Sequence, residues 1–466
     1  METKRTIRRF GSDLTEGPIV RTLLAFSIPM VLTNLIQQLY TLVDLIIIGQ
    51  FVGDTGTVAV SVGGEICDML TPIATAFATA GQIYIAQLAG SKAMSKMSQT
   101  IGTFITMMLL IAIVVMTSAL CFRDEIIVLL NCPLEAAQSA GTYLLITAFG
   151  LPFIFCYNAI CGALRGLGES RWPMLFIIVA AAMNIVLDYM LVAFFSMGVL
   201  GTAIATLLSQ VTACCAAFTC LITHRSQLNM ELKWSLFRIR KDIAYIILSL
   251  GIPQAVRSLL VRFSMLWVNS QINAFGLTAS ATNSIGNKLQ SFMEVYTSSI
   301  SQASAAAVGQ NLGAGKQERS KRIITSALKI NLLIASIISM LIVLWPEKVF
   351  GIFTNDAETL ELGIVYLHIL ICHVYFSGIT GSLQAMVIGC GNASLNFIVG
   401  ILDGFICKIG LSLLLVNVFH MGVMGFFWGI SLSRVVPGMM CGVYLFSGRW
   451  KHRKLLIDRE PKPTEG

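Results

Sequence analysis

The strongest constraint on the fold of this chain is a succession of apolar runs, each about as long as a membrane-spanning helix. A transmembrane helix needs about 20 predominantly apolar residues. Only 12% of the residues are charged, which is about half the fraction found in soluble globular proteins. The sequence therefore predicts an all-α polytopic membrane protein with twelve transmembrane helices and no separate extramembrane domain. The predicted spans are 20–49, 58–86, 99–121, 138–163, 172–195, 199–223, 242–274, 278–307, 322–345, 362–388, 394–418 and 423–447.

The distribution of Lys and Arg predicts how these spans are oriented. Of the 32 basic residues, 24 fall in the chain ends and alternate connections, whereas the other connections hold only Arg123 and Lys348. Cytoplasmic segments of membrane proteins carry this excess. We therefore expect both termini in the cytoplasm, with a lead at 1–19, a linker at 224–241 and a basic tail at 448–466. The net charge of +8 follows from this topology and does not indicate nucleic-acid binding.

The basic lead runs into a long helix without the small-residue cleavage site of a signal peptide. We therefore expect a multi-pass protein of the cell (inner) membrane. Its expected partners are the lipid bilayer and a small-molecule organic substrate, and the chain is expected to act as a monomer.

Short motifs of the first half recur in the second half at an almost constant spacing, a little under half of the chain length. Such a repeat predicts two homologous lobes of six helices each, an N-lobe at 20–223 and a C-lobe at 242–447. Six is an even number, so both lobes have the same orientation and are related by a pseudo-two-fold axis along the membrane normal. The pairs are SIPMVLTNLIQQLY (27–40) with GIPQAVRSLLVRFS (251–264), AQLAGSK (86–92) with GQNLGAGK (309–316), RGLGES (165–170) with IGCGNAS (388–394), and MGVLG (197–201) with MGVMG (421–425).

Two carboxylates lie inside predicted spans of the first half. An ionised Asp at the centre of a membrane helix costs about 2.5–3.5 kcal/mol, and such residues usually face an interior cavity. Asn184 and Asp188 are four apart and share one face of helix 5. Asp44 closes a polar stripe on helix 1 that also contains Asn34, Gln37, Gln38 and Thr41. This pattern predicts a site for Na⁺ or H⁺, and the alternative is a hydrogen-bonded pair that only fixes helix packing.

The second half carries a different polar pattern. Helix 7 contributes Arg257 and Arg262, and helix 11 contributes Asp403 and Lys408. These charges either line a substrate cavity or form internal ion pairs that specify packing. The polar stripe on helix 8 consists of Asn283, Asn287, Gln290, Glu294, Ser298 and Ser301.

Two motifs that resemble nucleotide-binding loops lack the required pattern. GQNLGAGKQ has Gln317 where a phosphate-binding loop needs Ser or Thr, and GLGES lacks a preceding strand. Because no nucleophilic catalytic cluster is evident either, we expect no enzymatic activity and no cofactor apart from Na⁺ or H⁺ as the coupling ion.

Five segments together resemble the multidrug and toxic compound extrusion (MATE) family: LTEGPI, IPM, QQLYTLVDLIIIGQFVG, GALRGLGES and GQNLGAGKQER. The resemblance extends from about residue 14 to residue 448. It implies two lobes that export organic molecules in exchange for Na⁺ or H⁺ by alternating access. It also implies the family branch whose cation site lies in the N-terminal lobe.

The resemblance further implies roles for individual residues. In that branch the cation site, which would hold Na⁺ if sodium drives transport, corresponds here to Asp44, Asn184, Asp188, Thr202 and Asn158. The helix-1 hinge corresponds to Pro29. The expected substrate cavity comprises Gln37, Gln38, Tyr40, Thr41, Arg257, Arg262 and Glu294.

The two arginines of helix 7 depart from the pattern expected for a transporter of cationic drugs. Arg257 and Arg262 make an anionic metabolite or a lipid-linked precursor a plausible cargo, so a lipid flippase is the alternative function. A membrane enzyme would need a polar catalytic cluster at a membrane face. A scaffold would have no use for paired carboxylates. Secondary active efflux of organic compounds therefore remains the predicted function.

Overall fold

The computed structural model describes residues 11–129, 132–227 and 234–458, in which every regular element is helical. Residues 1–10 of the predicted lead, 228–233 of the linker and 459–466 of the tail lie outside the described residues. The helices are α1 (Ile19–Phe51), α2 (Asp54–Gly90), α3 (Met94–Cys121), α4 (Arg123–Leu129), α5 (Leu134–Ala148), α6 (Leu151–Gly166), α7 (Arg171–Asp188), α8 (Gly198–Thr223), α9 (Lys241–Asn273), α10 (Leu277–Gly313), α11 (Gln317–Leu344), α12 (Pro346–Gly351), α13 (Ala357–Gly389), α14 (Ala393–Ile401), α15 (Lys408–Asn417), α16 (Val423–Leu432) and α17 (Val435–Phe446).

The membrane-spanning character of the chain is confirmed. Among the described residues, ten helical segments are long and apolar enough to cross a bilayer, and the pair α5 and α6 makes an eleventh if it counts as one span. Helix α10 is long enough, at 37 residues, but is not among these segments because its polar stripe lowers its hydropathy. Each predicted span therefore coincides with a helix or a helix pair.

Four predicted spans contain interruptions that the sequence analysis did not predict, including the last, where Ser433 and Arg434 separate α16 from α17. The fourth span bends by 44° between α5 and α6. Pro152 has no N–H to donate to Ala148, so the helical ladder is interrupted there. π-helical turns occur at Tyr189–Phe194, directly after α7, and at Leu402–Cys407, between α14 and α15.

The two halves repeat the same turns, which confirms the internal duplication. Five positions with a left-handed backbone in the first half have counterparts in the second half at the same near-constant spacing as the sequence motifs. Pro29 inside α1 likewise corresponds to Pro253 inside α9. The paired left-handed positions are Gly53 with Gly276, Lys92 with Gly315, Gly168 with Gly391, Ser196 with His420, and Gly198 with Gly422.

The halves meet along a seam in which α2 packs against α9 and α10, and α1 packs against α10. The end of the bundle that contains the turns at Lys92, Gly168, Gly315 and Gly391 is here called the basic end. At this end α2 and α10 cross at two glycines. A Cβ on Gly90 would collide with the carbonyl oxygen of Gln310, and one on Gly313 with that of Gln87.

The segment that precedes each half is docked on the other half. Leu14 is buried, and the Asn311 side chain of α10 donates to its carbonyl oxygen at 3.0 Å. Leu236, which precedes α9, lies against Gly102 of α3, and Thr106 of α3 donates to the carbonyl oxygen of Phe237 at 2.9 Å. The described parts of the predicted lead and linker are therefore packed elements that hold the two halves together.

Candidate functional site

A cluster of polar side chains is buried where α1, α7 and α8 pack together. Helix α1 supplies Asp44, α7 supplies Asn184 and Asp188, and α8 supplies Thr202 from its second turn. Asp188 is the last residue of α7 before the π-helical turn. Such turns are frequent at functional sites, since the extra residue shifts the side chains that follow it.

These side chains are almost completely removed from solvent. The exposed fraction is 0% for Asp188, 1% for Asn184 and Thr202, and 8% for Asp44. The Asp44 and Asp188 carboxyl groups are neighbours that interact electrostatically. The structure thus brings the sequence-predicted Asp44 and Asp188 together, with Asn184 one helical turn before Asp188 and Thr202 buried on the adjacent α8.

Several polar atoms of this cluster have no hydrogen-bond partner among the described residues. Buried polar groups are nearly always paired in native proteins, and an unpaired group indicates a bound ion or water, a catalytic role or strain. The unpaired atoms are Asp44 Oδ1, Asn184 Oδ1 and Nδ2, both carboxyl oxygens of Asp188, and Thr202 Oγ1.

The donor set fits a hard monovalent cation or a proton. Hard cations prefer oxygen ligands from carboxylates, amides and hydroxyls, and all three kinds are present. Two adjacent carboxylates cannot both keep a negative charge in a buried site unless a cation or a proton compensates it. Asp44, Asn184, Asp188 and Thr202 could therefore hold Na⁺, and either carboxyl group could hold a proton.

Tyr143 is a member of the cluster that the sequence analysis missed. Its ring lies against Gly63 of α2, where a Cβ would collide with it. The side chain also interacts electrostatically with Asp44 and Asp188. Its position on α5, in a span without a polar stripe, gave no signal in the sequence.

Asn158 and Pro29 occupy other positions. Asn158 lies on α6, and its amide donates to the carbonyl oxygen of Ile154 in the same helix at 2.9 Å. Pro29 is buried within α1, which remains helical through it, and Thr33 donates to its carbonyl oxygen.

The predicted polar stripe of helix 1 lies along the seam between the halves. Asn34 donates to Ser299 Oγ of α10 at 2.9 Å, and Gln38 donates to the carbonyl oxygen of Ser291 at 3.4 Å. The remaining members of the expected cavity on this helix are the half-buried Gln37 and Tyr40 and the exposed Thr41.

A second polar network occupies the other half and is centred on Glu294 of α10. Its Oε1 lies 2.7 Å from His373 Nε2 and 2.7 Å from a guanidinium nitrogen of Arg434. Arg434 also donates to Ser377 Oγ at 3.0 Å. Its Nε lies 3.9 Å from a carboxylate oxygen of Asp403.

Two more cations surround this network. Arg257 and Lys408 each interact electrostatically with Asp403 and Arg434. Arg262, in contrast, is exposed. It leaves α9 about 140° around the helix from Arg257, since consecutive residues differ by about 100°. The structure thus brings Arg257 and Glu294 into one network and places Arg262 on another face.

Arg434 and His373 were missed as members of this network. Arg434 interrupts the apolar run FFWGISLSRVVPGMM, and an intramembrane arginine is a signal in itself. His373 gave no signal, because only the fold reveals that it faces Glu294.

A family model described as MatE matches residues 29–190 and 253–414. The matched segments begin at Pro29 and Pro253, which agrees with the duplicated fold.

The curated relatives cover nearly the whole chain. Probable multidrug resistance protein YpnP of Bacillus subtilis is 25% identical over 96% of this chain and 99% of its own length. Multidrug export protein MepA of Staphylococcus aureus (strain NCTC 8325 / PS 47) is 24% identical over 93% of this chain and 95% of its own length.

Solved structures show the same fold. A multidrug resistance MATE family transporter in an outward-facing conformation aligns with a TM-score of 0.88 and 22% identity, covering 97% of this chain and 100% of that chain. A MOP superfamily transporter from Pyrococcus furiosus Vc1 (DSM3638) aligns with a TM-score of 0.89 and 21% identity, with the same coverage.

Proposed function

This chain belongs to the MatE family, and on that premise we propose that it exports small organic molecules in exchange for Na⁺ or H⁺. The names of the curated relatives, which describe multidrug resistance and export proteins, support efflux as the direction of transport. The observation that carries the coupling mechanism is the buried pair Asp44 and Asp188, in which Asp44 Oδ1 and both carboxyl oxygens of Asp188 lack protein donors.

The carboxyl pair is proposed to act as the coupling site, in the family branch whose cation site lies in the N-terminal half. When neither Na⁺ nor a proton is bound, the two negative charges repel each other in a site that excludes water. Binding of one cation removes this repulsion, so the two groups bind it as a unit. Asn184 and Thr202 supply further oxygen ligands if the ion is Na⁺.

Alternating access is proposed to follow from this neutralisation. Because Pro29 lacks an N–H, it leaves one carbonyl of the preceding turn of α1 unbonded, which makes bending easier there. The tight crossing of α2 and α10 at Gly90 and Gly313 supports a state closed at the basic end. The excess of Lys and Arg at that end supports a cytoplasmic location for it and for both termini.

The energy available from such a cycle is sufficient for export. One monovalent cation that moves inward across 100 mV releases about 2.3 kcal/mol. This corresponds to about a fifty-fold substrate gradient if the exchange is not charge-compensated.

We place the protein, as a monomer, in the cell (inner) membrane of a bacterium.

The test is efflux from liposomes that contain the purified full chain. Ethidium, a cation, and fluorescein, an anion, are loaded into separate liposomes, and an inward Na⁺ gradient or a pH gradient is imposed in separate experiments. We expect one of the gradients to drive efflux by the wild type, and Asp44→Asn and Asp188→Asn to lose the gradient-driven part.

Glu361→Gln is the matched control, since it removes an exposed carboxylate from the first turns of α13 and should leave efflux unchanged. Wild-type rates of gradient-driven efflux in Asp44→Asn would contradict the coupling mechanism. An efflux rate that is the same with and without either gradient would contradict antiport itself.

A further inference from the structure

The network in the second half contains more cations than anions. Arg257, Lys408 and Arg434 face two carboxylates, Glu294 and Asp403. An unbalanced charge within a membrane protein is costly unless it is paired or in contact with water. A network that served only to fix packing would be expected to balance its charges.

The cations are unequally satisfied. Arg434 donates to Glu294 and Ser377. Lys408 Nζ donates to the Met265 sulfur at 3.9 Å. Thioether sulfur is a weak acceptor, so this contact satisfies the ammonium group poorly. Arg257 Nε is buried and has no hydrogen-bond partner among the described residues.

A glycine of the neighbouring helix α14 leaves room for the Arg257 side chain. Gly400 of α14 lies directly beneath its side chain, where a Cβ would collide with the Arg257 methylene groups. The arginine is thereby held against the turn that leads to Asp403, with an unpaired donor. Arginine is well suited to an anion because its planar fork can bind a carboxylate or a phosphate through two parallel hydrogen bonds.

The network is accessible from the seam between the halves. The exposed fraction of the side chain is 31% for Glu294 and 23% for Arg434, although Glu294 lies near the middle of α10 and Arg434 lies at the break between α16 and α17. Ser291, one turn before Glu294 on α10, accepts a hydrogen bond from Gln38 of the other half. Residues three apart on a helix lie on neighbouring parts of one face, so Glu294 lies close to this seam.

We propose that Arg257, Lys408 and Arg434 bind an anionic group, a carboxylate or a phosphate, on the exported compound. This proposal rests on the proposed export function and names the substrate class. The anion supplies the charge and the acceptors that Arg257 and Lys408 lack, while Glu294 and Ser377 hold Arg434 in place. The same chemistry recognises a water-soluble organic anion and the headgroup of an anionic lipid.

The test is equilibrium binding to the detergent-solubilised full chain, measured by fluorescence anisotropy without any ion gradient. The probes are fluorescein as a soluble organic anion, fluorescently labelled phosphatidylglycerol as an anionic lipid, and ethidium as a cation. We expect at least one anionic probe to bind. Its Kd should rise about tenfold or more in Arg257→Gln and in Lys408→Gln, since a hydrogen bond to a charged group contributes about 1.5–3 kcal/mol.

Two further variants separate a loss of binding from a loss of fold. Lys348→Gln removes one exposed positive charge at the end opposite the basic end and should leave the Kd unchanged. Arg257→Lys keeps the charge but loses the fork, so its affinity should fall between those of the wild type and Arg257→Gln. Each variant is first required to elute as the wild type does on size exclusion.

The results identify the source of the anion. They also show separately whether the anion site or the proposed export function is wrong. Binding of fluorescein alone identifies a soluble anion, and binding of the lipid alone identifies a headgroup. Binding of ethidium but of neither anion, or an unchanged Kd in Arg257→Gln, overturns the anion site even if gradient-driven efflux is observed. Because binding needs no gradient, an absence of coupled efflux does not affect this result.

Discussion

Gln87 and Gln310, which occupy equivalent positions in the duplicated fold, join the two halves by equivalent hydrogen bonds. The Gln87 amide donates to the carbonyl oxygen of Gly389 at 3.0 Å, and the Gln310 amide donates to that of Gly166 at 2.9 Å. The two acceptors, Gly166 and Gly389, are the last residues of α6 and α13 and are themselves equivalent. Each glutamine therefore reaches from its own half to the end of a helix in the other half.

The side-chain oxygens of the same glutamines bind the terminal segments. Leu14 N donates to Gln310 Oε1 at 3.1 Å, and Leu456 N donates to Gln87 Oε1 at 2.8 Å. Both glutamines are buried, so each amide satisfies a donor and an acceptor that water cannot reach.

Replacing either glutamine should loosen the basic end. Gln87→Ala and Gln310→Ala each remove two buried hydrogen bonds and leave a backbone N–H and a carbonyl unpaired, at a cost of about 1–3 kcal/mol. We expect a lower Tm for each variant in detergent. Gln227→Ala, at an exposed position after α8, is the control, and a Tm equal to that of the wild type in Gln87→Ala would argue against a structural role.

The helix crossing predicts opposite outcomes for two glycines of the same helix. Gly90→Ala places a methyl group against the backbone of α10 and should destabilise the protein by about 1–3 kcal/mol through overpacking. Gly64→Ala, also in α2, introduces a methyl group into open space and should be neutral or slightly stabilising, because alanine favours the helix. Thermal denaturation of both variants checks this, and a tolerated Gly90→Ala would show that α2 and α10 are not in tight contact.

Thr202 should distinguish a sodium site from a proton site. Sodium needs several oxygen ligands, whereas a proton needs only a carboxyl group, so Thr202→Ala should weaken stabilisation by Na⁺ and leave stabilisation by acid intact. The measurement is the Tm as a function of Na⁺ concentration and of pH, because a ligand that binds only the folded state raises its stability. Thr212→Ala, on an exposed face of the same helix, is the matched control. Equal Na⁺ responses in the two variants would exclude Thr202 as a ligand.

Arg434 and Glu294 should be strongly coupled in a double-mutant cycle. Arg434→Met leaves Glu294 in an environment that has lost its main cation and should cost about 3–5 kcal/mol. Adding Glu294→Gln should recover part of this loss, since the uncompensated charge is then absent. The exposed pair of Arg123 and Asp124 provides a comparison, with an expected coupling of about 0–1 kcal/mol. Additive effects in the half-buried pair of Arg434 and Glu294 would contradict the contact.

Much of the fold could be predicted from hydropathy, because the lipid requires long apolar helices whose lengths appear directly in the sequence. Helix α10 shows the limit of this reasoning. Its stripe from Asn283 to Ser301 is polar because the helix packs at the seam and against α13. The repeat was evident as well, since AQLAGSK and GQNLGAGK contain Gln87 and Gln310. Their contacts with opposite halves could not be predicted, because they depend on how the halves pack.

The candidate site was predictable where one helix supplies its residues and not where several helices meet. Asn184 and Asp188 are four apart, so helical periodicity places them together. The contact between Glu294 and His373 joins residues 79 positions apart, and that between Glu294 and Arg434 joins residues 140 apart. No local pattern encodes such contacts. The sequence also placed Arg257 and Arg262 together, whereas the helix directs them to different sides.

The paired glycine and glutamine contacts at the basic end give the seam the form of an isologous dimer interface. In such an interface, residue i of one subunit contacts residue j of the other, and j contacts i in return. The contacts of Gly90 and Gly313 follow this relationship, as do the hydrogen bonds from Gln87 to Gly389 and from Gln310 to Gly166. Two copies of a half-length chain could therefore make the same contacts twice. In these terms the protein is organised as a symmetric dimer whose subunits are joined end to end, and the two halves differ in the charges that they carry.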